Sequence, residues 1–297
     1  MISYRYLGHG LNHFVNLPES SLTQCVHDVQ SLSATLAAAG YQCQTYFDAQ
    51  CRKADIMQHM SDAIRSAAAC EKAVLVVHQS GHGSQQRQTG DSTTVKDDGM
   101  DEVMVCYDTK WNYSTSLWDN VLADYEIGKL FSAIPDNVLV VLVADTCCSG
   151  TITRGIRPIE MVGHRKFIYP RDWIVRAMDI APDWKSGFVP TDNRNFVLLA
   201  GAAPNNFSYE CPSGGVLTSS VVKCVKSTIP SFVSRNDLIA SVLSEVRRLG
   251  FDQTPHYECR AELMPKAEFC FDNERLAQKK TEPAARSLWS WLVGLFR

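Results

Sequence analysis

Two short segments of this chain carry residues that can do nucleophilic chemistry. Gln79-Ser80-Gly81-His82-Gly83-Ser84-Gln85 follows an apolar, β-branched run at 73–78 (AVLVVH), and Asp145-Thr146-Cys147-Cys148-Ser149-Gly150 follows a second at 138–144 (VLVVLVA). A thiol beside an imidazole can transfer acyl groups: the imidazole takes the thiol proton, the sulfur attacks a carbonyl carbon, and the imidazole later protonates the departing amine. The glycines around His82 permit tight turns and close approach of another chain, and the Gly83 N–H is free to face a developing oxyanion. Either segment alone has a plainer explanation, since a histidine in a glycine-rich loop can be incidental and most free cysteines are buried and inert. Two such loops, each just past a core strand, favour chemistry.

The elements that must position them are legible in part. The runs at 73–78 and 138–144 are near-continuous rather than alternating, as central parallel strands buried on both faces should be. Helical spacing links Leu22, Cys25, Val26, Val29, Leu32 and Leu36 and stops before Gly40; Ile56, Met57, Met60 and Ile64 repeat it. Asp124 is placed to cap a third helix carrying Ile127, Leu130, Phe131 and Ile134. A third strand is expected at 196–201, then helices near 219–226 and at 236–249, the latter with Ser234 as cap. Alternating strands and helices make an α/β sheet with its site at the carboxyl ends of the strands. The segment 151–195 between the second and third strands is rich in Arg, Lys, Pro and Asp, and loops this long are usually functional or disordered. The chain therefore divides into a larger part at 1–150, a basic linker at 151–195, a smaller part at 196–277 and a tail at 278–297.

Composition narrows the classes. At 297 residues, 45% hydrophobic and 21% charged, the chain suits one α/β unit, and a net charge of -3 offers no basic field for a nucleic acid. The 11 cysteines are odd in number and none is paired in C-x-x-C spacing, so a reduced, cytoplasmic setting is expected rather than a disulfide framework or a zinc site. No basic leader before an apolar core opens the sequence, and no apolar run is long enough to span a bilayer.

The pairing of S-G-H-G with a later D-x-C-x-S-G resembles the metacaspases and their prokaryotic relatives, the orthocaspases. Cys25-Val26-His27-Asp28 is similar to that family's C-x-N-D helix, Asp98-Gly99-Met100-Asp101-Glu102 to its D-G-x-D-E stretch, and Gln253-Thr254-Pro255 to its Q-x-P. The resemblance runs from about residue 22 to 256. It implies a caspase-like (caspase-hemoglobinase) α/β fold with a mostly parallel central sheet flanked by helices. It further implies a cysteine endopeptidase with Cys147 as nucleophile, His82 as base, and the N–H groups of Gly83 and Cys147 as oxyanion hole. Cys148 stands where the family commonly has His; its thiol is expected to turn back toward the sheet, because successive residues leaving a strand point to opposite faces.

The same resemblance assigns Asp28, Ser80 and Asp145 to the pocket for the residue before the cut. Two carboxylates there would pair with an ammonium or guanidinium and reject an acidic side chain, so protein or peptide substrates with Arg or Lys before the cut are expected. A same-clan peptidase of other specificity and a catalytically silent adaptor are the rival readings. Calcium is a further expectation by resemblance, with Asp101, Asp124 and Glu126 as oxygen ligands near Asp97, Asp98 and Glu102, although Arg154 stands where another ligand is expected. Self-cleavage is expected in the linker, where Arg165, Lys166 and Arg171 are among the basic residues near the nucleophile. The tail, with Leu288, Trp289, Trp291, Leu292, Val293, Leu295 and Phe296, suits docking on a membrane surface or a partner, or simple packing on its own domain.

Overall fold

The computed structural model describes residues 2–89, 99–147, 163–171, 195–202, 206–228 and 235–259. Its centre is a six-stranded sheet in the order β12-β9-β7-β3-β1-β2, built from β1 (Ile2–Gly10), β2 (Gln42–Phe47), β3 (Lys72–Ser80), β7 (Val138–Asp145), β9 (Phe196–Ala200) and β12 (His256–Cys259). All neighbours are parallel except β12, which runs antiparallel to β9. The two apolar runs read from the sequence are the central strands β3 and β7, and every residue of β7 is buried.

Alternation along these strands feeds two cores. Leu75, Val77, Val140, Leu142 and Leu198 face one side, where they pack with α2 (Lys53–Ala68) and α3 (Asp124–Ser132). Val74, Val76, Val141, Val143 and Leu199 face the other, against α1 (Cys25–Ala38), α4 (Val216–Thr228) and α5 (Arg235–Arg248). Burying each of these side chains contributes about 1.5–3 kcal/mol, and because β7 has no solvated face, a charge placed on it would have no water to solvate it.

Two smaller antiparallel sheets lie outside the central one. The first joins β4 (Gly83–Arg87), β5 (Met100–Asn112) and β6 (Leu117–Ala123); the second joins β8 (His164–Arg165), β10 (Tyr209–Cys211) and β11 (Gly214–Gly215). The stretch containing Asp101 and Glu102 is the start of β5, and both residues are buried. The third helix has its N-cap at Ala123, not Asp124. The Glu126 carboxylate reaches back to accept the Ala123 N–H at 3.0 Å, while Asp124 Oδ1 accepts the N–H of Tyr125 at 2.8 Å. Ser234, Cys148 and the tail at 278–297 lie outside the described residues. Among those described, no helix is long and apolar enough to cross a membrane.

Helix α1 begins where it does because its orphan N–H groups are met from two distant parts of the chain. Asn12 Oδ1 accepts from Cys25 N (2.9 Å) and Val26 N (3.3 Å), and the Glu210 carboxylate accepts from Thr23 N and Gln24 N, both at 3.0 Å. It ends at Gly40, whose φ of 89° is left-handed, with Tyr41 N returning to Leu36 O at 3.0 Å. The helix is thus held at both ends, which fixes Asp28 in its first turn.

Candidate active site

The parallel register of β3 and β7 pairs Ser80 with Asp145. His82 and Cys147 each stand two residues beyond that pair, so the two loops leave the sheet side by side. Their contact is close at the backbone: a Cβ built on Gly83 would overlap the Cys147 carbonyl oxygen, so only glycine fits there.

His82 is buried, its ring tilted against Phe14, and its Nε2 lies 2.7 Å from Ser20 O. A carbonyl can only accept, so Nε2 carries the proton and Nδ1 is left as the basic atom. Nδ1 is buried without a hydrogen-bond partner. Burial lowers the His82 pKa to about 4, against the opposing pull of the Ser20 and Lys166 carbonyls. The Cys147 thiol is fully buried and exchanges hydrogen bonds with the Ser208 backbone, accepting from Ser208 N at 2.8 Å and donating to Ser208 O at 3.1 Å. Burial raises its pKa to about 12. Burial thus favours the neutral imidazole and the neutral thiol over their charged forms.

What buries them is a piece of the chain itself. Residues 163–168 cross the cleft as an extended strand: β8 pairs antiparallel with β10, Lys166 N donates to Ser208 O at 3.0 Å, and Ile168 N donates to Gly83 O at 3.0 Å. Between these anchors the Lys166 carbonyl accepts from both Gly83 N (2.9 Å) and Cys147 N (3.3 Å). Two converging backbone donors on one carbonyl oxygen form the arrangement that stabilises an oxyanion when a nucleophile adds to that carbonyl.

The side chain of Lys166 enters a closed, polar pocket between Asp28, Ser80 and Asp145. Its Nζ lies 3.0 Å from Asp28 Oδ2, 2.9 Å from Ser80 Oγ and 3.3 Å from Asp145 Oδ1. Every carboxylate oxygen there has further donors. Ser80 Oγ (2.8 Å) and Gly215 N (2.7 Å) serve Asp28; Ser208 Oγ (2.7 Å), Thr218 N (3.0 Å) and Thr218 Oγ1 (2.7 Å) serve Asp145. Thr218 is in turn held by His78, which spans Tyr6 and Thr218 at 2.8 and 3.1 Å. Burial opposes ionisation of both carboxyls. At Asp145 the ammonium and its donors prevail and hold the pKa below the ordinary range, whereas at Asp28 burial and repulsion by Asp145 push it above. Burial also works against the Lys166 ammonium, but Asp145 and Asp28 outweigh it and keep the group firmly charged.

The residues singled out in the sequence fall into two groups. His82, Gly83, Cys147, Asp28, Ser80 and Asp145 converge on one cleft, and Arg165 and Lys166 lie in it. Arg171 does not: it is exposed and pairs with Glu19 at 2.9 Å. Asp101 and Asp124 are buried, and Glu126 is engaged with Lys53 at 2.8 Å as well as with Ala123. Among the described residues no group of three or more His, Cys, Asp or Glu side chains is arranged to hold a metal, while Asp97, Asp98 and Arg154 lie outside them.

Ser208, Gly215 and Thr218 complete the pocket and carry no motif that sequence reasoning could have found. Gln253 had one, the Q-x-P. It receives Tyr209 N at 3.1 Å and donates to Gly201 O at 2.8 Å, fastening the 206–209 segment to the end of β9.

Comparison with family models matches the caspase domain over residues 10–264. The chain belongs to the caspase-domain family of cysteine peptidases. Its caspase-like fold is shared with solved structures of low sequence identity. Protein GSU0716 from Geobacter sulfurreducens is 18% identical, with 90% of this chain and 98% of that one covered at a TM-score of 0.63. Caspase-1 from Spodoptera frugiperda is 12% identical, with 86% and 85% covered at 0.55. Comparison with curated proteins yields no significant match. In this caspase-like, metacaspase-type chain the cleft holds the Lys166 ammonium against Asp28 and Asp145.

Proposed function

We propose that this caspase-domain protein is a cysteine endopeptidase that cuts after Lys or Arg, and that its first substrate is its own Lys166–Phe167 bond. The observation that carries the reading is the docking of Lys166: ammonium between two buried carboxylates, carbonyl oxygen between the N–H groups of Gly83 and Cys147.

In this reading His82 Nδ1 takes the Cys147 proton and Sγ attacks the Lys166 carbonyl carbon. The oxygen becomes negative and is held by the two N–H groups. As the carbon–nitrogen bond to Phe167 breaks, the protonated imidazole gives its proton to the departing amine. A water molecule, deprotonated by His82, then attacks the thioester; the Lys166 carboxylate leaves and the thiol is restored. Release of the new chain ends opens the pocket to other Lys or Arg side chains. Because burial favours the neutral imidazole and thiol, the first cut includes transfer of the Cys147 proton to His82.

The test is to incubate purified protein and sequence any new amino terminus. A terminus at Phe167 is expected in the wild type and in Lys166→Arg, and none in Cys147→Ala, His82→Ala or Lys166→Met. The same cut in Cys147→Ala would remove the nucleophile assignment. A wild-type chain that stays whole while hydrolysing Lys peptides would remove self-processing.

A further inference from the structure

Lys166 fills one subsite, and the residue before it meets a second. The guanidinium carbon of Arg165 lies 4.4 Å from the centre of the Phe207 ring, inside the range at which a cation is drawn to an aromatic face. Tyr209 is the cross-strand partner of Arg165; burial works to lower the pKa of the guanidinium, but Tyr209 and Tyr169 outweigh it and hold it above the ordinary value.

Strand geometry explains why two cations are sorted to two places. Along the docked strand successive side chains point to opposite faces. Its partner strand does the same: Ser208 turns its hydroxyl toward Asp145 and the lysine pocket, so Phe207 and Tyr209 face the other way, where Arg165 lies. The aromatic pair is also braced. Phe207 N donates to Asn206 Oδ1 at 2.6 Å, Tyr209 N donates to Gln253 Oε1 at 3.1 Å, and the Tyr209 ring packs against Phe251 with centroids 5.7 Å apart. Tyr169 belongs to the docked segment itself, so Phe207 and Tyr209 are what remains for an incoming substrate.

We propose that Phe207 and Tyr209 form a second specificity pocket for a cationic side chain, so that the preferred substrates carry two consecutive basic residues, Arg-Lys or Arg-Arg, immediately before the cut. This rests on the peptidase function proposed above and narrows its substrate class. An aromatic face and a phenol attract a guanidinium without the tight geometry of a carboxylate pocket, so the selection is graded. Arg is preferred over Ala, and Ala over Glu, which the neighbouring Asp28 and Asp145 also repel.

The test uses processed wild-type enzyme and blocked peptides that release a fluorescent amine after Arg-Lys, Ala-Lys or Glu-Lys, identical elsewhere. A kcat/KM about tenfold higher for Arg-Lys than for Ala-Lys is expected, with Glu-Lys lowest. Phe207→Leu, which keeps an apolar side chain without the ring, should narrow the Arg-Lys to Ala-Lys ratio severalfold, and Tyr209→Phe should narrow it less. Cleavage of Arg-Lys and Ala-Lys at equal rates overturns the second pocket while leaving cleavage after Lys intact. Failure to cleave any of the three by enzyme whose amino terminus at Phe167 has formed overturns cleavage in trans, and the second pocket with it.

Discussion

Lys166 Nζ lies 3.0 Å from Asp28 Oδ2 although the two residues are 138 positions apart, and both are buried. A lysine is rarely buried without partners, because the ammonium loses its hydration. Here the loss is offset by two carboxylates and a hydroxyl, all fixed by elements of the fold before the lysine arrives. The pocket thus meets the ammonium of this chain's own lysine on three sides.

The two carboxylates are not equivalent. Asp145 accepts three hydrogen bonds from Ser208 and Thr218 besides the ammonium, and Asp28 accepts two, from Ser80 and Gly215. Asp28→Ala and Asp145→Ala are each expected to lower kcat/KM on Lys peptides more than tenfold, about 1.4 kcal/mol of transition-state binding. In the uncut Cys147→Ala background, Asp145→Ala should also lower stability to urea by about 3–5 kcal/mol, since it strands a buried cation and three donors. Unaltered turnover in either variant would take that carboxylate out of the substrate pocket.

The glycines beside His82 have different tolerances. A Cβ at Gly81 would meet only the Leu11 side chain, at 3.5 and 3.6 Å, whereas one at Gly83 would occupy the Cys147 carbonyl. Gly81→Ala should therefore keep self-cleavage, and Gly83→Ala should abolish it by pushing the two loops apart and misplacing one of the two N–H groups. Appearance of the Phe167 terminus at the wild-type rate in Gly83→Ala would show that this close approach is dispensable.

Three histidines make the uncut protein sensitive to mild acid. Burial lowers His9 and His78 to about 3 and His82 to about 4, with His59 adding to the effect at His9 and Asp145 opposing it at His78. An unfolded chain protonates the same groups near pH 6.5. Between these values the unfolded state binds more protons than the folded one, so stability rises with pH there and is lost as pH falls. Each histidine contributes up to about 1.4 kcal/mol per pH unit in that window. Melting temperatures of the Cys147→Ala protein should fall steadily from pH 7 to pH 5; a flat profile would mean that these side chains take up protons without unfolding.

The parts of this molecule that could be read from sequence are those in which residue type and element coincide. Uninterrupted apolar runs have one stable place in an α/β protein, the middle of a parallel sheet, and 73–78 and 138–144 are there. Their loops could be paired because His82 and Cys147 each follow such a run within four residues. Asp28 and Asp145 were reached only through the family resemblance, since nothing in a lone acidic residue near a helix start or strand end distinguishes a pocket wall from a cap. The strand β5 was missed because its first residues, Met100-Asp101-Glu102, are as acidic as a loop, and their place in a sheet is set by pairing with Gln85, Gln86 and Arg87 of β4. Ser208, Gly215 and Thr218 are common residues whose role is set by contacts with Asp28 and Asp145 far away in the chain. Likewise, several basic residues in the linker looked alike in sequence, and among those described the hydrogen bonds to Ser208 and Gly83 set Lys166 apart.

The position of the docked bond relative to the sheet has one more consequence. Strands β9 and β12, helices α4 and α5, and Glu210 at the head of α1 all follow Phe167 in sequence, yet β9 lies inside the sheet between β12 and β7. Hydrolysis after Lys166 would therefore divide the chain without dividing the molecule: contacts that were tertiary become quaternary, and the product is an obligate heterodimer of two fragments. Separation would expose the hydrogen-bonding edge of β7 and the apolar faces on both sides of it, so the fragments stay together as a unit. Rejoining is disfavoured as soon as the charged new ends leave the dry cleft. A single bond cleavage would thus act as a ratchet, permanent in its effect on the site and nearly silent in its effect on the fold.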